Sequence, residues 1–421
     1  MQPIFKEFIS FIKDKGYDIP IFEGTFWLDR GFIKAFTSDG ILHKLYKYKV
    51  NDDLSINITK HKEYIDSKFE TWLETAERMK HNIHRLVSES LEIIEDTVER
   101  YNDYNMWALT STGKDSTVTL DLVRKIVPTI KVMFNNTSLD VADTYKMVKS
   151  HQDWIITNPK EGFYQWVQRN NFIPTRFSRG CCSIFKEGAS IQYFKDNNVD
   201  KIIHFMGVRN DESTARSDRE YIGSNPKWDN PNWLYCLPIR KWSDLDIWLY
   251  IISNNLEINP RYRKGYHRVG CAMACPFANK STWTLDKYWY PNLYNRWHQI
   301  IKKVFLDSKR WQQVNCTLAE YHSCWNGGLY RPEPTEEVIQ EMMAYTGLVD
   351  RDIALKYFNK TCCECGKNVR QRDILAMNFK ILGRETNSLF CKKCFLKFTG
   401  MTKSKYDEYV KEFKVSGCSL F

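Results

Sequence analysis

"ALTSTGKDSTVTLDLV", residues 108–123, is the stretch that decides the fold of this chain. A short apolar run ends in the small polar loop 111–117, and apolar residues at helical spacing follow it. A turn that joins a strand to a helix in this way offers backbone N–H groups and the positive end of the helix dipole to an anion. We therefore predict that the loop binds a phosphate or pyrophosphate group.

The side chains of this loop suit the same purpose. Lys114 adds a mobile positive charge, and we expect Asp115 either to fix the loop or to help hold Mg²⁺. Hydroxyl groups are available to phosphate oxygens as well. The predicted nucleotide-binding loop consists of Ser111, Thr112, Gly113, Lys114, Asp115, Ser116 and Thr117. The Walker pattern GxxxxGK[ST] is absent, so this is not the P-loop of that class.

Strand-like and helix-like stretches alternate around the loop, from about residue 105 to residue 330. The strand-like ones are "MWALT", "IKVMFNN", "WIITN" and "KIIHFMGV". This alternation predicts an α/β fold with a doubly wound parallel sheet, covered by helices on both faces. Ligands of such sheets bind beyond the carboxyl ends of the strands, which is where the loop lies.

The flanking segments have a different character and predict three domains. Residues 1–102 read as an N-terminal α+β extension, a β-meander of short aromatic-rich runs followed by one long helix or two. The helical spacing there includes Phe69 and Trp72. Residues 103–335 form the predicted nucleotide-binding domain, and residues 350–421 form a basic unit of the zinc-ribbon type.

Composition and charge limit the function classes. The chain has 421 residues, of which 43% are hydrophobic, so wholesale disorder is excluded. No apolar run approaches the roughly 18 residues that a membrane span needs. The first residues do not have the pattern of a signal peptide. We therefore expect a cytoplasmic protein without membrane contact. Of the net charge of +10, +7 lies in residues 350–421. That basic end either contacts nucleic acid or is a solvated surface.

Thirteen cysteines occur in clusters, and clustering without an export signal points to metal or redox chemistry. Cys362 with Cys365 and Cys391 with Cys394 make two Cys-x-x-Cys knuckles separated by 25 residues. Two such knuckles supply the four thiolates of a structural Zn²⁺ site. The neighbouring Cys363 has no assigned role in this arrangement.

The loop resembles a known family, and further segments extend the resemblance. "STGKDST" is similar to the PP-loop of the ATP pyrophosphatases, whose usual form is Ser-Gly-Gly-x-Asp-Ser. In family order, the following segments resemble the phosphoadenosine phosphosulfate (PAPS) reductase-like branch: "NNTSLDVADTY", "RGCCSIFKEGA", "GVRNDESTAR", "LPIRKWSDLDIWLYI" and "GYHRVGCAMACPF". The resemblance implies an adenine nucleotide alpha hydrolase-like fold that binds an adenine nucleotide.

Within this branch the retained Lys114-Asp115-Ser116 resembles DndC-like sulfur-transfer proteins, because sulfonucleotide reductases usually lose that part of the loop. The resemblance implies an enzyme that cleaves ATP, with Mg²⁺, to AMP and pyrophosphate, activates a target oxygen and supports sulfur transfer. The acceptor is open, nucleic acid included, and a sulfur-donor protein such as a cysteine desulfurase is an expected partner. Two alternatives are a PAPS or adenylyl-sulfate reductase that produces sulfite, and a non-enzymatic, zinc-dependent nucleic-acid-binding module.

The same resemblance assigns further site residues. Lys114 and Asp115 are the catalytic candidates, and Arg209 and Arg216 would hold a second anionic group, with Glu212 orienting one of them. The alternative for the arginines is a surface salt-bridge cluster. Four more cysteines occupy places that hold a [4Fe–4S] cluster in related proteins; zinc ligands or free thiols are the alternatives. They are Cys181, Cys182, Cys271 and Cys275.

Overall fold

The computed structural model describes residues 1–51, 53–171, 173–174, 180–210, 219–225, 228, 230–273, 275, 278–307, 362–367, 369, 372–382 and 389–415. The chain divides into two compact units. The first consists of Met1–Gly162, Ser183–Met273 and Lys280–Pro291. The second consists of Phe163–Cys182, Ala274–Asn279 and Asn292–Phe421.

The first unit begins with an antiparallel five-stranded sheet in which every strand pairs with its neighbour in sequence. Its strands are β1 (Gln2–Pro3), β2 (Trp27–Asp29), β3 (Phe32–Phe36), β4 (Leu42–Val50) and β5 (Ile56–Lys60). Helix α1 (Lys6–Asp14) buries Phe8, Phe11 and Ile12 in the core beside this sheet. The apolar spacing of these residues on one face of the helix explains why it packs there.

Two helices connect this sheet to the next. Helix α2 (Trp72–Arg78) begins with a capping box in which Thr71 and Glu74 bond each other's backbone N–H groups. Helix α3 (Lys80–Arg100) follows after Met79. The expectation that Phe69 shares this helix is wrong, because the cap at Thr71 starts the helix later, and Phe69 instead forms an isolated β-bridge with Thr37.

The second sheet of the first unit has six strands in the order β10-β11-β9-β6-β7-β8, all parallel except the edge strand β10. They are β6 (Asn105–Thr110), β7 (Lys131–Asn135), β8 (Trp154–Thr157), β9 (Ile202–Phe205), β10 (Ile222–Ser224) and β11 (Trp233–Cys236). The helices of this part are α4 (Lys114–Ile126), α5 (Ala142–Ser150), α7 (Gly188–Asp196), α8 (Asp244–Ser253), α9 (Pro260–Arg263) and α10 (Lys280–Trp289). A π-helix, Cys182–Glu187, precedes α7.

Both faces of this sheet are covered, which confirms the predicted doubly wound α/β fold. Ala108, Val132 and Ile203 share a core with Val118 of α4 and Ile247 of α8. The residues next to them in sequence point to the other face, because side chains alternate along a strand. That second core contains Trp107, Met133, Ile202 and Trp233, together with Phe194 of α7.

The order of the strands fixes where a ligand would bind. Strands β7 and β8 lie on one side of β6, and β9 lies on the other, so the chain reverses direction between β6 and β9. Ligands of open α/β sheets bind beyond the carboxyl ends of the strands at such a reversal. The two segments that leave the sheet there are the loop 111–113 after β6 and residues 206–210 after β9.

The second unit is helical in its described part. Its helices are α6 (Phe163–Asn170), α11 (Pro291–Asp307), α12 (Arg372–Leu382), α13 (Lys392–Thr399) and α14 (Lys403–Val415). Phe163 of α6 packs against Trp297 of α11, with ring centroids 5.8 Å apart. Helices α12 to α14 share a separate core that includes Met377, Phe395 and Tyr406. Among the described residues, no helix combines the length and the apolar character that crossing a membrane requires.

Candidate functional site

The loop after β6 contains an unusual backbone conformation. Thr112 has a φ of +57°, in the left-handed region that β-branched residues rarely adopt. It occupies the place of the first glycine in the PP-loop pattern that this loop resembles. Gly113, the next residue, has an extended backbone with φ −77° and ψ 151° and is the N-cap of α4. The strained position of the loop therefore carries a threonine, at a cost of about 1–2 kcal/mol.

A hydrogen-bond network holds Thr112 in this conformation. Its hydroxyl accepts a hydrogen bond from Nδ2 of Asn259 at 2.7 Å and donates to the carbonyl of Ser111 at 2.6 Å. Asn259 is fully buried and also donates to the Thr144 hydroxyl on α5 at 3.0 Å. The short segment around α9 thus fixes the loop against α5.

The backbone N–H groups of the loop divide into two sets. The N–H of Ser111 donates to the Ser116 hydroxyl at 3.3 Å, and the N–H of Lys114 donates to the Tyr262 hydroxyl at 2.9 Å. Within the described part of the chain, the N–H groups of Gly113, Asp115 and Ser116 meet no protein acceptor. Free N–H groups at the start of a helix, reinforced by the helix dipole, are an anion-binding arrangement.

Lys114 belongs to a compact cluster of four charged side chains. Its Nζ lies 2.9 Å from Oδ2 of Asp115 and 3.1 Å from Oδ1 of Asp244, the first residue of α8. Arg209 bonds the same carboxylates, through Nε to Asp115 and through Nη2 to Asp244, at 2.5 Å each. The expectation of a mobile lysine is wrong, because the Lys114 side chain is only 7% exposed and is held by two carboxylates.

The pKa shifts show that the charges of this cluster support one another. Burial lowers the pKa of Lys114, but the nearby Asp115 and Asp244 outweigh burial, so the pKa is raised above its usual value. The same balance of burial against these two carboxylates raises the pKa of Arg209. Burial raises the pKa of Asp244, but Lys114, the amino group of Met1 and Arg209 together bring it below its usual range. These groups are therefore ionised at neutral pH.

A glycine after β9 allows this cluster to assemble. A Cβ atom on Gly207 would lie 2.5 Å from the carbonyl carbon of Asp115 and 2.7 Å from the backbone nitrogen of Ser116. Only glycine permits so close an approach of this segment to the first turn of α4. The approach brings Arg209, two residues later, to Asp115, so the Gly-x-Arg pattern has a direct structural reason.

The remaining predicted site residues vary in their surroundings. Ser116 is buried and donates to the carbonyl of Gly113 at 2.9 Å, so it stabilises the turn. Ser111 is exposed and Thr117 half-buried. Glu212 and Arg216 lie outside the described residues. Their predicted roles stay predictions.

The roles of Asp244, Asn259 and Tyr262 in the site do not follow from the sequence alone. Asp244 stands in the quoted "WSDLDIW" segment but does not reveal its partner, Lys114, which lies 130 positions earlier in the sequence. Asn259 and Tyr262 reach the loop from the "NPRY" turn, which carries no motif. His267 is a further titratable residue near the cluster. It keeps some solvent exposure, but desolvation by the protein around it, together with the positive charge of Arg268, lowers its pKa to about 4.

The two cysteine knuckles come together in the second unit. The Sγ atoms of Cys362, Cys365, Cys391 and Cys394 all lie within 4.8 Å of one another. Those of Cys365 and Cys391 are 3.7 Å apart, close to the roughly 3.8 Å between sulfurs at tetrahedral Zn–S distances of about 2.3 Å. The four thiols therefore fit a tetrahedral metal ion. Cys363 packs with the apolar core instead, and burial raises its thiol pKa well above the usual value.

The other predicted metal ligands are half-buried and belong to separate segments. Cys181 directly precedes the π-helix, and Cys182 is its first residue. Cys271 and Cys275 lie in the segment that precedes α10. Among the described residues, the C-terminal four-cysteine group is the one in which the ligand atoms converge. An iron–sulfur cluster at these four positions stays a prediction.

The region that contains this site is similar in sequence to known proteins. Residues 105–276 match the sequence profile of the phosphoadenosine phosphosulfate reductase domain. This region of the chain is therefore similar to the PAPS reductase domain. The matched region contains the parallel sheet, the loop 111–117, Arg209 and Asp244, so the charged cluster around Lys114 lies within it. The amino group of Met1 and the four-cysteine group lie outside it.

Proteins that are similar to this chain carry different names. An uncharacterised protein of Methanocaldococcus jannaschii is 29% identical over 63% of this chain and 66% of its own length. An adenosine 5'-phosphosulfate reductase of Bacillus cytotoxicus is 22% identical over 48% of this chain and 86% of its length. Subunit 2 of sulfate adenylyltransferase from Vibrio vulnificus is 29% identical over 44% of this chain and 68% of its length. The chain thus spans just under two thirds of the archaeal relative.

Proposed function

We propose that this PAPS reductase-family protein binds ATP at the loop 111–117 and cleaves it to AMP and pyrophosphate. The cleavage activates an oxygen atom of a target molecule, which prepares it for sulfur transfer. The observation that carries the proposal is the buried Lys114, held by two carboxylates, beside three N–H groups that meet no acceptor among the described residues, at the start of α4. A site that only holds a sulfonucleotide has no need of a cation for a departing pyrophosphate.

The proposed reaction transfers the adenylyl group of ATP to an oxygen atom of the target. The target oxygen attacks the α-phosphorus, the bond to the β-phosphate breaks, and pyrophosphate leaves with increased negative charge. A sulfur nucleophile then attacks the carbon that bears the adenylated oxygen, and AMP leaves with that oxygen. Lys114, Arg209 and the loop amides stabilise that charge, which is the role of preorganised donors in a transition state. Mg²⁺, held by Asp115, would neutralise phosphate charge in the same site.

The other parts of the proposal concern sulfur and partners. Cys181, Cys182, Cys271 and Cys275 would hold an iron–sulfur cluster or carry sulfur supplied by a donor protein such as a cysteine desulfurase. The four convergent cysteines of the second unit would hold Zn²⁺. The basic C-terminal residues would contact nucleic acid, one of the candidate acceptors.

A pyrophosphate-release assay on anaerobically purified, metal-replete protein tests the proposal. We expect ATP to yield pyrophosphate, with water as the attacking oxygen where no other target is present, and Lys114→Met to reduce the rate about 10²–10³-fold, the usual effect of losing one donor to a developing anion. Lys125→Met is the matched control, because Lys125 is an exposed lysine of the same helix that pairs only with Asp121 among the described residues. Undiminished pyrophosphate release by Lys114→Met would overturn the proposal.

A sulfonucleotide reductase is the second candidate, favoured by the similarity to the adenosine 5'-phosphosulfate reductase. It predicts sulfite from adenylyl sulfate or PAPS with a thiol donor, at a rate that ATP does not change. A purely nucleic-acid-binding protein predicts salt-sensitive binding through residues 350–421 and no turnover of either nucleotide. The same preparation, assayed for pyrophosphate and for sulfite, separates these outcomes.

A further inference from the structure

The carboxylate of Asp244 occupies an unusual position for a site that would bind phosphate. Its Oδ1 contacts both cations of the site, Lys114 at 3.1 Å and Arg209 at 2.5 Å. Its Oδ2 accepts from the amino group of Met1 at 3.1 Å. One carboxylate thus bonds, through a single oxygen atom, the two side chains that a phosphate group would need.

We propose that Asp244 competes with the nucleotide for Lys114 and Arg209 and yields them when a phosphate group arrives. This inference rests on the proposed function, because it assumes that the anion binds at the loop 111–117. A phosphate oxygen that contacts the Lys114 ammonium either takes the place of the Asp244 oxygen or lies beside it. Two anionic oxygens in contact repel each other, so binding favours the exchange.

The position of Asp244 in the fold suits such an exchange. Its side chain is 39% exposed, whereas those of Lys114 and Arg209 are 7% and 3% exposed, so the carboxylate is the member of the cluster nearest to solvent. Asp115 remains paired with both cations when Asp244 moves, because it contacts them through its own two oxygens. The cations therefore keep their places while the anion changes.

The exchange also predicts a specific role for Mg²⁺ near Asp244. When phosphate takes its place at Lys114 and Arg209, Asp244 loses its two side-chain partners and keeps the amino group of Met1, and a partly buried carboxylate with fewer partners is less favourable. A divalent cation near the phosphates would offset that loss. Part of the Mg²⁺ requirement for binding should then come from this residue, in addition to the part that comes from the nucleotide.

Calorimetric titration with inorganic pyrophosphate and with ATP, each with Mg²⁺ and with a chelator, tests this inference. We expect Asp244→Asn to bind pyrophosphate without Mg²⁺ about tenfold more tightly than the unaltered protein, and to gain less from added Mg²⁺. Asp153→Asn is the matched control, because it removes the same charge from an exposed pair with Arg124. Asp244→Ser repeats the test if the asparagine variant does not fold.

The outcomes separate this inference from the proposed function. If the unaltered protein binds neither ATP nor pyrophosphate with Mg²⁺, the proposed function fails, and the exchange fails with it. If the unaltered protein binds them but Asp244→Asn binds pyrophosphate equally or more weakly, Asp244 is a positioning residue and only the exchange is overturned. Tighter binding that Asp153→Asn shares would also overturn it, since the effect would then reflect net charge.

Discussion

Replacing Gly207 by alanine should damage the candidate site through backbone contact alone. The added Cβ would lie 2.5 and 2.6 Å from the carbonyl carbon and oxygen of Asp115, and 2.7 Å from the nitrogen of Ser116. All three are backbone atoms of the first turn of α4, so no side chain can rotate away. Ordinary contact begins near 3.4 Å, so the segment after β9 and the helix must separate by about 0.9 Å.

The size of the effect follows from that separation. Overpacking of this kind typically costs about 1–3 kcal/mol of folding free energy. In a unit of this size that corresponds to a fall in Tm of roughly 2–12 °C. Because the separation moves Arg209 away from Asp115, we also expect ATP binding to weaken, and a displacement near 1 Å in a catalytic site can cost about 10²-fold in rate.

Thermal unfolding followed by circular dichroism and calorimetric titration with ATP measure the two effects. Gly180→Ala is the control, because a Cβ there meets nothing within 4 Å, and we expect its Tm to change by at most about 1 °C. A Gly207→Ala protein with unchanged Tm and unchanged ATP affinity would refute the account of how this segment contacts α4.

Three further predictions concern other parts of the chain. Asn259→Ala should lower the free energy of unfolding in urea by about 2–3 kcal/mol, because the buried hydroxyls of Thr112 and Thr144 lose their donor. In a Thr112→Gly background the loss should be about 0.5–1 kcal/mol smaller, and a double-mutant cycle measures this difference. Cys394→Ser should lose the bound metal and lower the Tm, whereas Cys363→Ser should keep one metal ion per chain by elemental analysis; equal metal loss in both would contradict the assigned ligands. Burial lowers the pKa of His204 to about 3. Between pH 7 and pH 5 this residue therefore takes up a proton in the unfolded chain but stays neutral in the folded chain, and the free energy of unfolding should fall by about 2 kcal/mol. That fall should be absent in His204→Leu, and an identical pH profile in both proteins would disprove it.

Local pattern was enough to predict the core of the fold. The runs around Trp107, Met133, Ile155 and Ile203 are short, apolar and separated by helical stretches, and each is a strand of the parallel sheet. The two Cys-x-x-Cys knuckles likewise converge, because metal-ligand spacing is a local property of the chain. The loop at Ser111 was predictable for the same reason.

The parts that the sequence does not reveal depend on contacts between distant residues. Asp244 and Tyr262 reach Lys114 across 130 and 148 positions, and nothing in their own surroundings specifies that partner. The left-handed conformation of Thr112 is imposed from outside, by Asn259, against the preference of a β-branched residue. Helix α1 is short, and its place depends on the sheet that it covers.

The four charges around Lys114 also determine how a nucleotide would arrive. Two cations and two carboxylates within hydrogen-bonding distance cancel, so the cluster projects little field into the surrounding water. These four side chains then add little long-range guidance for a nucleotide, so their own contribution to the association rate constant should depend only weakly on ionic strength. Selectivity for a polyanion would then arise after the encounter, when its oxygen atoms replace the Asp244 oxygen at Lys114 and Arg209.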